Sequence, residues 1–430
     1  MKKRLFKVLS ILLSVVIIVV SITFLKNNKP VNQGIKPTEK TTESTTEKET
    51  NTQPDTTESS TDFETETTTE GTTMYIEPPV SNASPELQKL VNEVAEKYGA
   101  VGVQVATIKD GRVSSTAEFG WAEIDTRRME RDTKIRVASL SKTLVGMVVF
   151  KLVDMGKIDI DKDISDYLGV LVRNPDYPDI PITLRMILTH TSGLYDGDYQ
   201  ESLEDLQKYL MTPEAYKEKP GETFRYNNFA FGVAGTICEF VTGKSLNNLA
   251  KEFFFNPMDI NASYLAGQLG ADNIATIYDS KGEVGISAED LAKAKTDRNK
   301  IGRFMMLYAG GLTTSAYDLA KLLTLLVNNG IYGGKQLLSQ NSVTHMNTPQ
   351  LSYNSSQCMP VKKKNGLYNQ EYMYYHTGSA YGVYSLYVYN PDTKIGVVVV
   401  STGATLSRDR YGIYSVCGEI ADGIINQNLL

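Results

Sequence analysis

Cysteine, histidine and tryptophan are scarce in this chain: three Cys, three His and one Trp among 430 residues. Three thiols cannot build a disulfide framework, and at least one must stay outside any intrachain bridge. The histidines, at 190, 345 and 376, are too few for a His-rich metal centre, and none is followed by Glu, so the His-Glu-x-x-His zinc helix is absent. There is no Walker A loop and no Gly-x-Gly-x-x-Gly, so nucleotide binding has no support. There is no Gly-x-Ser-x-Gly either, which removes the usual α/β-hydrolase elbow. A net charge of −6 excludes a strongly basic nucleic-acid binder. No repeat is visible. Nothing in this inventory calls for a metal, a cofactor or a nucleic-acid partner.

What is present is unevenly distributed. Residues 1–28 carry +5, residues 29–82 carry −7, and −4 remains for residues 83–430. Residues 8–25 form an 18-residue stretch without a charge, preceded by Lys2, Lys3, Arg4 and Lys7 and followed by Lys26. As a helix it would span roughly 27 Å, about one hydrocarbon core. Its flanking charges place the N-terminus in the cytoplasm and the rest outside. A cleaved signal peptide is the competing reading, but an Ala-x-Ala-like site is missing, so the expectation is a retained single-pass anchor. Residues 29–82 hold sixteen Thr with Glu, Ser and Pro. That composition cannot bury enough apolar surface to fold and reads as a disordered stalk.

Residues 83–430 are long enough for a large core. Ser84 reads as a helix N-cap, Pro85 suits the first turn, Leu87, Leu90, Val91 and Val94 form an apolar stripe, and Gly99 ends the helix. A hairpin follows, residues 101–108 and 112–121 around Lys109-Asp110-Gly111. Residues 382–389 and 394–400 read as two late strands, and residues 411–427 have helical spacing. The expectation is an α+β fold, an αβα sandwich: one antiparallel sheet formed from both ends of the domain, flanked by helices, with a mostly helical subdomain inserted between them.

Three short patterns carry chemistry. Ser139-Leu140-Ser141-Lys142 precedes an apolar helical run, so the Ser139 hydroxyl and the Lys142 amine share a helix face. A helix N-terminus and burial both disfavour an ammonium, and a neutral Lys142 can take the proton of Ser139 and make it a nucleophile. Tyr226-Asn227-Asn228 follows a turn-rich approach and offers a phenol for proton relay and an amide for a carbonyl. His376-Thr377-Gly378 precedes the first late strand, where a small residue at 378 lets an extended substrate approach the sheet edge.

In this order the patterns resemble the serine penicillin-binding protein and class C β-lactamase superfamily. Supporting blocks are Gly120-Trp121-Ala122-Glu123, residues 136–143, 188–194, 220–228 and 310–320, and His376-Thr377-Gly378-Ser379-Ala380-Tyr381-Gly382. The resemblance covers roughly residues 85–425. It implies that Ser139 is the acylated nucleophile, Lys142 its proton acceptor, and Tyr226 a relay or base that would need a depressed pKa. It implies further that Asn228 binds the substrate carbonyl and that His376 and Thr377 steer its carboxylate. The backbone N–H groups of Ser139 and Ser379 would form the oxyanion hole.

The third pattern selects among branches. Most class C β-lactamases have Lys-Thr-Gly, whereas His-Thr-Gly is similar to DD-carboxypeptidases, D-aminopeptidases and esterases. With a membrane anchor and a stalk, the first expectation is an extracytoplasmic, DD-carboxypeptidase-like or D-alanyl-esterase-like serine hydrolase at the cell wall. Its substrate would be a D-alanyl peptide or ester, or a β-lactam. A β-lactamase and a non-hydrolytic penicillin-sensing module are the alternatives. Other residues read blandly: Lys362-Lys363-Lys364 as a solvated loop, Arg408 and Arg410 as a solvated loop, His190 as a structural turn residue, and Cys238, Cys358 and Cys417 as buried small apolar groups.

Overall fold

The computed structural model describes residues 80–197, 200–295, 301–351 and 356–430. The expected anchor and all but the last residues of the expected stalk lie outside them. No helix among the described residues is long and apolar enough to cross a membrane.

The main sheet takes strands from both ends of the folded region. They are β1 (Ser81–Asn82), β2 (Gly102–Lys109), β3 (Arg112–Glu123), β4 (Arg127–Arg128), β5 (Lys362–Asn365), β6 (Tyr372–Ala380), β7 (Val383–Asn390) and β8 (Ile395–Thr402). Their order is β1-β3-β2-β8-β7-β6-β5, with β4 on β3. All pairs are antiparallel except β1 with β3. The early and late strands join through β2 and β8, where Val105 faces Val399. β1 begins at Ser81, so the chain enters the sheet slightly before the expected start at residue 83.

The central strands are apolar at nearly every position because the sheet is covered on both faces. Val103 and Val105 of β2 and Val397 and Val399 of β8 pack with α1 (Pro85–Lys97) and α6 (Ser415–Asn426). Ala106 and Ile108, with Val398 and Val400, face the other way, into the core that includes α2 (Ser141–Asp154) and α5 (Ala316–Val327). This is the period-two alternation of a strand, doubled. α1 begins as expected: the Ser84 hydroxyl accepts from the Leu87 N–H at 3.1 Å, and Leu87, Val91 and Val94 are buried.

Between β4 and β5 lies the mostly helical insertion. It contributes α2, α3 (Phe229–Thr242), α4 (Met305–Gly310) and α5. α2 is buried almost all round, including the polar Ser141, Lys142 and Thr143. A buried ion pair clamps the segment leading into α2: Lys134 Nζ lies 2.6 Å from Asp318 of α5, with side chains only 2% and 5% exposed. Two residues on, Ile135–Arg136 pair with Thr313–Thr314 and deliver the chain to Ser139.

Replacing Lys134 alone by Met leaves Asp318 buried without its charge partner and should cost about 3–5 kcal/mol of stability. In urea denaturation the double variant Lys134→Met/Asp318→Leu should regain most of that loss. If both variants lose equally, packing at Lys134 outweighs the ion pair.

Candidate active site

Ser139 sits on a single 3₁₀ turn, Ala138–Leu140, that runs directly into α2. Ala138 has φ +51°, a left-handed conformation that costs a residue with a Cβ on the order of 1–2 kcal/mol. Surrounding hydrogen bonds impose it. The Ser141 hydroxyl donates to the Ala138 carbonyl at 2.6 Å and accepts from the Leu312 N–H at 3.0 Å. The Val137 N–H donates to the Leu312 carbonyl at 2.9 Å, and the Ser385 hydroxyl of β7 donates to the Val137 carbonyl at 2.8 Å. The serine between Ser139 and Lys142 is thus the brace of the turn.

Lys142 is fully buried. Its Nζ lies 3.2 Å from Ser139 Oγ, 2.8 Å from Asn228 Oδ1 and 2.6 Å from the Ala309 carbonyl. The amide and backbone oxygens only accept, so a neutral amine gives them its two hydrogens and turns its lone pair to the Ser139 hydroxyl. Burial is what favours that state: it brings the amine down to about 7, against the pull of Asp196, which favours the ammonium.

Tyr226 and Asn228 reach the site from the N-terminus of α3. Asp196 organises that end. Its Oδ1 accepts from the Asn228 and Phe229 N–H groups at 2.9 and 2.8 Å, and its Oδ2 accepts from Asn228 Nδ2 at 3.2 Å. The last contact sets the Asn228 amide so that its oxygen meets Lys142 and its nitrogen does not. The Tyr226 ring stacks on His190 at 4.3 Å between centroids, and His190 Nδ1 accepts from the Asn227 N–H at 3.1 Å. Burial holds His190 well below the usual imidazole range, so it is a neutral platform.

Ser139, Tyr226 and Asn228 line a cavity of about 380 Å³ together with His376, Thr377 and Ser379 of β6. A second cavity of about 400 Å³, around Arg112, Asn328 and Lys394, holds none of the motif residues. Among the described residues no group of three or more His, Cys, Asp or Glu side chains is arranged to hold a metal.

Residues 87–415 match the family model described as Beta-lactamase. The chain belongs to the beta-lactamase family. Similar proteins include Protein flp of Staphylococcus aureus, 24% identical over 187 residues that make up 41% of this chain and 37% of that protein. D-alanyl-D-alanine-carboxypeptidase/endopeptidase AmpH of Escherichia coli is 28% identical over 187 residues, 41% of this chain and 48% of AmpH. The chain thus matches less than half the length of either relative. The structure of a class C beta-lactamase from Rhodobacter sphaeroides superposes with a TM-score of 0.64 at 19% identity, covering 81% of this chain and 100% of that one, and shares the fold.

Against this family background, three expectations change. Tyr226 does not have a depressed pKa: although its side chain is 36% exposed, desolvation of the phenol pushes it well up, and its interaction with Ser139 opposes the shift only in part. The resting phenol is protonated, which leaves Lys142 as the base. His376 carries no charge with which to steer a carboxylate. Burial first, then Lys362 and Lys142, bring it down to about 3. Its Nδ1 lies 2.8 Å from the Thr377 carbonyl, so that nitrogen holds the proton, and its buried Nε2 has no partner among the described residues. Gly378 also serves packing: a Cβ there would collide with Ser385 Oγ and lie 2.8 Å from the Val137 carbonyl and 3.1 Å from the Ser139 N–H, pressing on the turn that carries the nucleophile. Lys362-Lys363-Lys364 is not a solvated loop but strand β5, and Lys362 and Arg408 both line the Ser139 cavity.

Asp196 and Lys362 were not visible as functional residues in the sequence. Asp196 belongs to none of the motifs, Lys362 is masked by a run of three lysines that reads as solvated, and each acts through a contact dozens of residues or more away.

Because the neutral amine is the active form, kcat/KM should rise with pH through about 7, the value of Lys142. Asp196→Asn removes the charge that holds this value up, so the rise should move to lower pH while kcat falls about tenfold as Asn228 loses its anchor. A pH–rate profile of both proteins checks this; an unmoved limb would sever Asp196 from Lys142.

Proposed function

We propose that this protein is an extracytoplasmic D-alanyl hydrolase of the DD-carboxypeptidase type, acting at the cell wall through an acyl-enzyme on Ser139. One observation carries the reading: an uncharged-capable lysine, brought to about 7 by burial, lies 3.2 Å from the only serine of a Ser-x-x-Lys pattern. Ser139 passes its proton to Lys142 as its oxygen bonds to the substrate carbonyl. The resulting oxyanion is met by backbone N–H groups of Ser139 and Ser379. As the C–N bond breaks, Tyr226 gives its proton to the departing amine and is refilled from Lys142. Water then attacks the ester carbonyl, giving a proton to the neutral Lys142 as its oxygen bonds to the carbon; the C–Oγ bond breaks and Ser139 takes that proton back, releasing the acid.

The choice of substrate draws on the name of AmpH and on the His-Thr-Gly pattern in place of Lys-Thr-Gly. The location draws on the charge-free residues 8–25 and the Thr- and Glu-rich residues 29–82, read as a membrane anchor and a spacer.

Purified protein should release D-alanine from an N-acylated peptide ending in D-Ala-D-Ala, and Ser139→Ala should reduce release to background. Tyr226→Phe should retain acylation by a good leaving group and lose about 100-fold or more on the peptide, whose amine needs a proton. Absence of D-alanine from the wild-type reaction would sink the carboxypeptidase reading. Nitrocefin turnover at a rate above that of Ser139→Ala would instead favour a β-lactamase.

A further inference from the structure

α3 supplies Lys142 with one acceptor at its start and bears on the other from its last turn. Asn228 precedes the helix and offers its Oδ1 at 2.8 Å. Glu239 lies about 15 Å along the helix from Phe229. It is 1% exposed and takes no part in the chemistry derived above. Its Oε1 accepts from the Leu246 N–H at 3.1 Å and from the Tyr308 hydroxyl, and its Oε2 accepts from the Gly302 N–H at 2.9 Å. Glu239 thus ties α4 twice, ahead of its first residue and through the side chain of Tyr308. Ala309, the next residue, carries the carbonyl that lies 2.6 Å from Lys142 Nζ.

α4 depends on such anchors, because its six residues are too few to hold a helix alone. Its last carbonyls have no intrahelical partner, and two of them are taken by the site: Ala309 by Lys142, and Gly310 by Arg136 Nε at 2.7 Å. On α3, Gly232 and Gly235 make room for it. A Cβ on Gly235 would collide with the Tyr308 ring, and one on Gly232 would lie 2.9 Å from the Met305 carbonyl. Their spacing puts Gly232, Gly235 and Glu239 on one face of α3, so the close approach and the clamp belong together. The Tyr308 ring also meets Tyr264 edge-on at 5.3 Å, and the Tyr264 hydroxyl donates to the Ser141 carbonyl at 2.9 Å. Tyr308 therefore links Glu239 to the first turn of α2 as well as to Ala309.

A neutral amine aims its lone pair only by where its two hydrogens go. With the Ala309 carbonyl displaced, Lys142 is free to turn a hydrogen toward Ser139 Oγ, and the base is lost. We propose that Glu239 is a positioning residue for acylation, holding the Ala309 carbonyl against Lys142 through the Tyr308 hydroxyl. This rests on the acyl-enzyme reading above, in which Lys142 is the base, and goes beyond it by assigning the residue that orients that base.

Tyr308→Phe removes the hydroxyl and keeps the ring. On an N-acyl-D-alanyl thioester, whose leaving group needs little help, its kcat/KM should fall on the order of 10-fold. The carbonyl also favours the ammonium, so its withdrawal should move the rise in kcat/KM to lower pH by about half a unit or more. Glu239→Gln retains an oxygen for Tyr308 and should keep most of the activity. Glu239→Leu should lose as much as the double variant Glu239→Leu/Tyr308→Phe, because both act by one route. Tyr308→Phe decides by itself should Glu239→Leu not fold. Ser84→Ala, which weakens the cap of α1 on the other face of the sheet, should lower the urea midpoint and leave the pH limb in place. A limb in Tyr308→Phe that stays put, or rises as water reaches the amine, overturns the positioning role and leaves Glu239 a packing residue. A wild type that cleaves the thioester but releases no D-alanine from a D-Ala-D-Ala peptide overturns the carboxypeptidase reading, while the limb still decides Glu239. If the wild type turns over no thioester, both fall.

Discussion

Removal of Lys142 from water is the condition on which the rest of the site depends. In solvent an amine of this type is protonated at neutral pH and is no base. Here α2 is apolar around it, and the acceptors it meets come from distant segments: Asn228 at the start of α3 and the Ala309 carbonyl in α4. The chemistry therefore exists only when the helices of the insertion have packed together around Lys142. Asp196 moderates the effect. Its charge is near enough to favour the ammonium, yet it is engaged by backbone amides at a helix N-terminus and does not pair with Lys142 directly. Burial alone would leave the amine too weak a base to pull a proton from serine. A carboxylate in contact would leave it too strong to be free of its own.

A second constraint is geometric. The nucleophile's turn is strained at Ala138 and is held from three sides, by Leu312, by Ser141 and by Ser385 of β7. Strain of this kind persists only where the surroundings over-determine it. Gly378 belongs to the same arrangement, because β6 must approach the turn more closely than any side chain at that position allows. The sheet is thus both the scaffold and one wall of the cavity.

Much of this was legible in the chain. The Ser84 cap, the early hairpin and the two late strands are local signals, and the structure places each within a few residues of its expected bounds. Ser139 and Lys142 meet as their spacing implies, since three residues on one helical turn bring side chains together whatever the rest of the fold does. What failed to show was anything set by tertiary burial. The charge of His376 follows from its near-complete enclosure, and the direction of the Tyr226 shift from desolvation of a phenol whose side chain is still 36% exposed, neither of which a local pattern encodes. Lys362 looked like one of three solvated lysines. Lys363 does lie over the Tyr372 ring at 3.8 Å, as befits an edge strand that must repel unwanted pairing, but its neighbour turns to the cavity because a strand alternates its faces.

His376 takes on a further meaning from its place between two lysines. At this position the Lys-Thr-Gly members of the superfamily have a cation, and here the nearest equivalent charge is carried one strand over, on β5. A lysine at 376 would add a third amine at a position on which Lys142 and Lys362 already act together, and mutual repulsion would disfavour charge on all three. In this chain the third motif and the edge strand are thus electrostatically linked, since Lys362 on β5 helps to keep the ring at 376 uncharged.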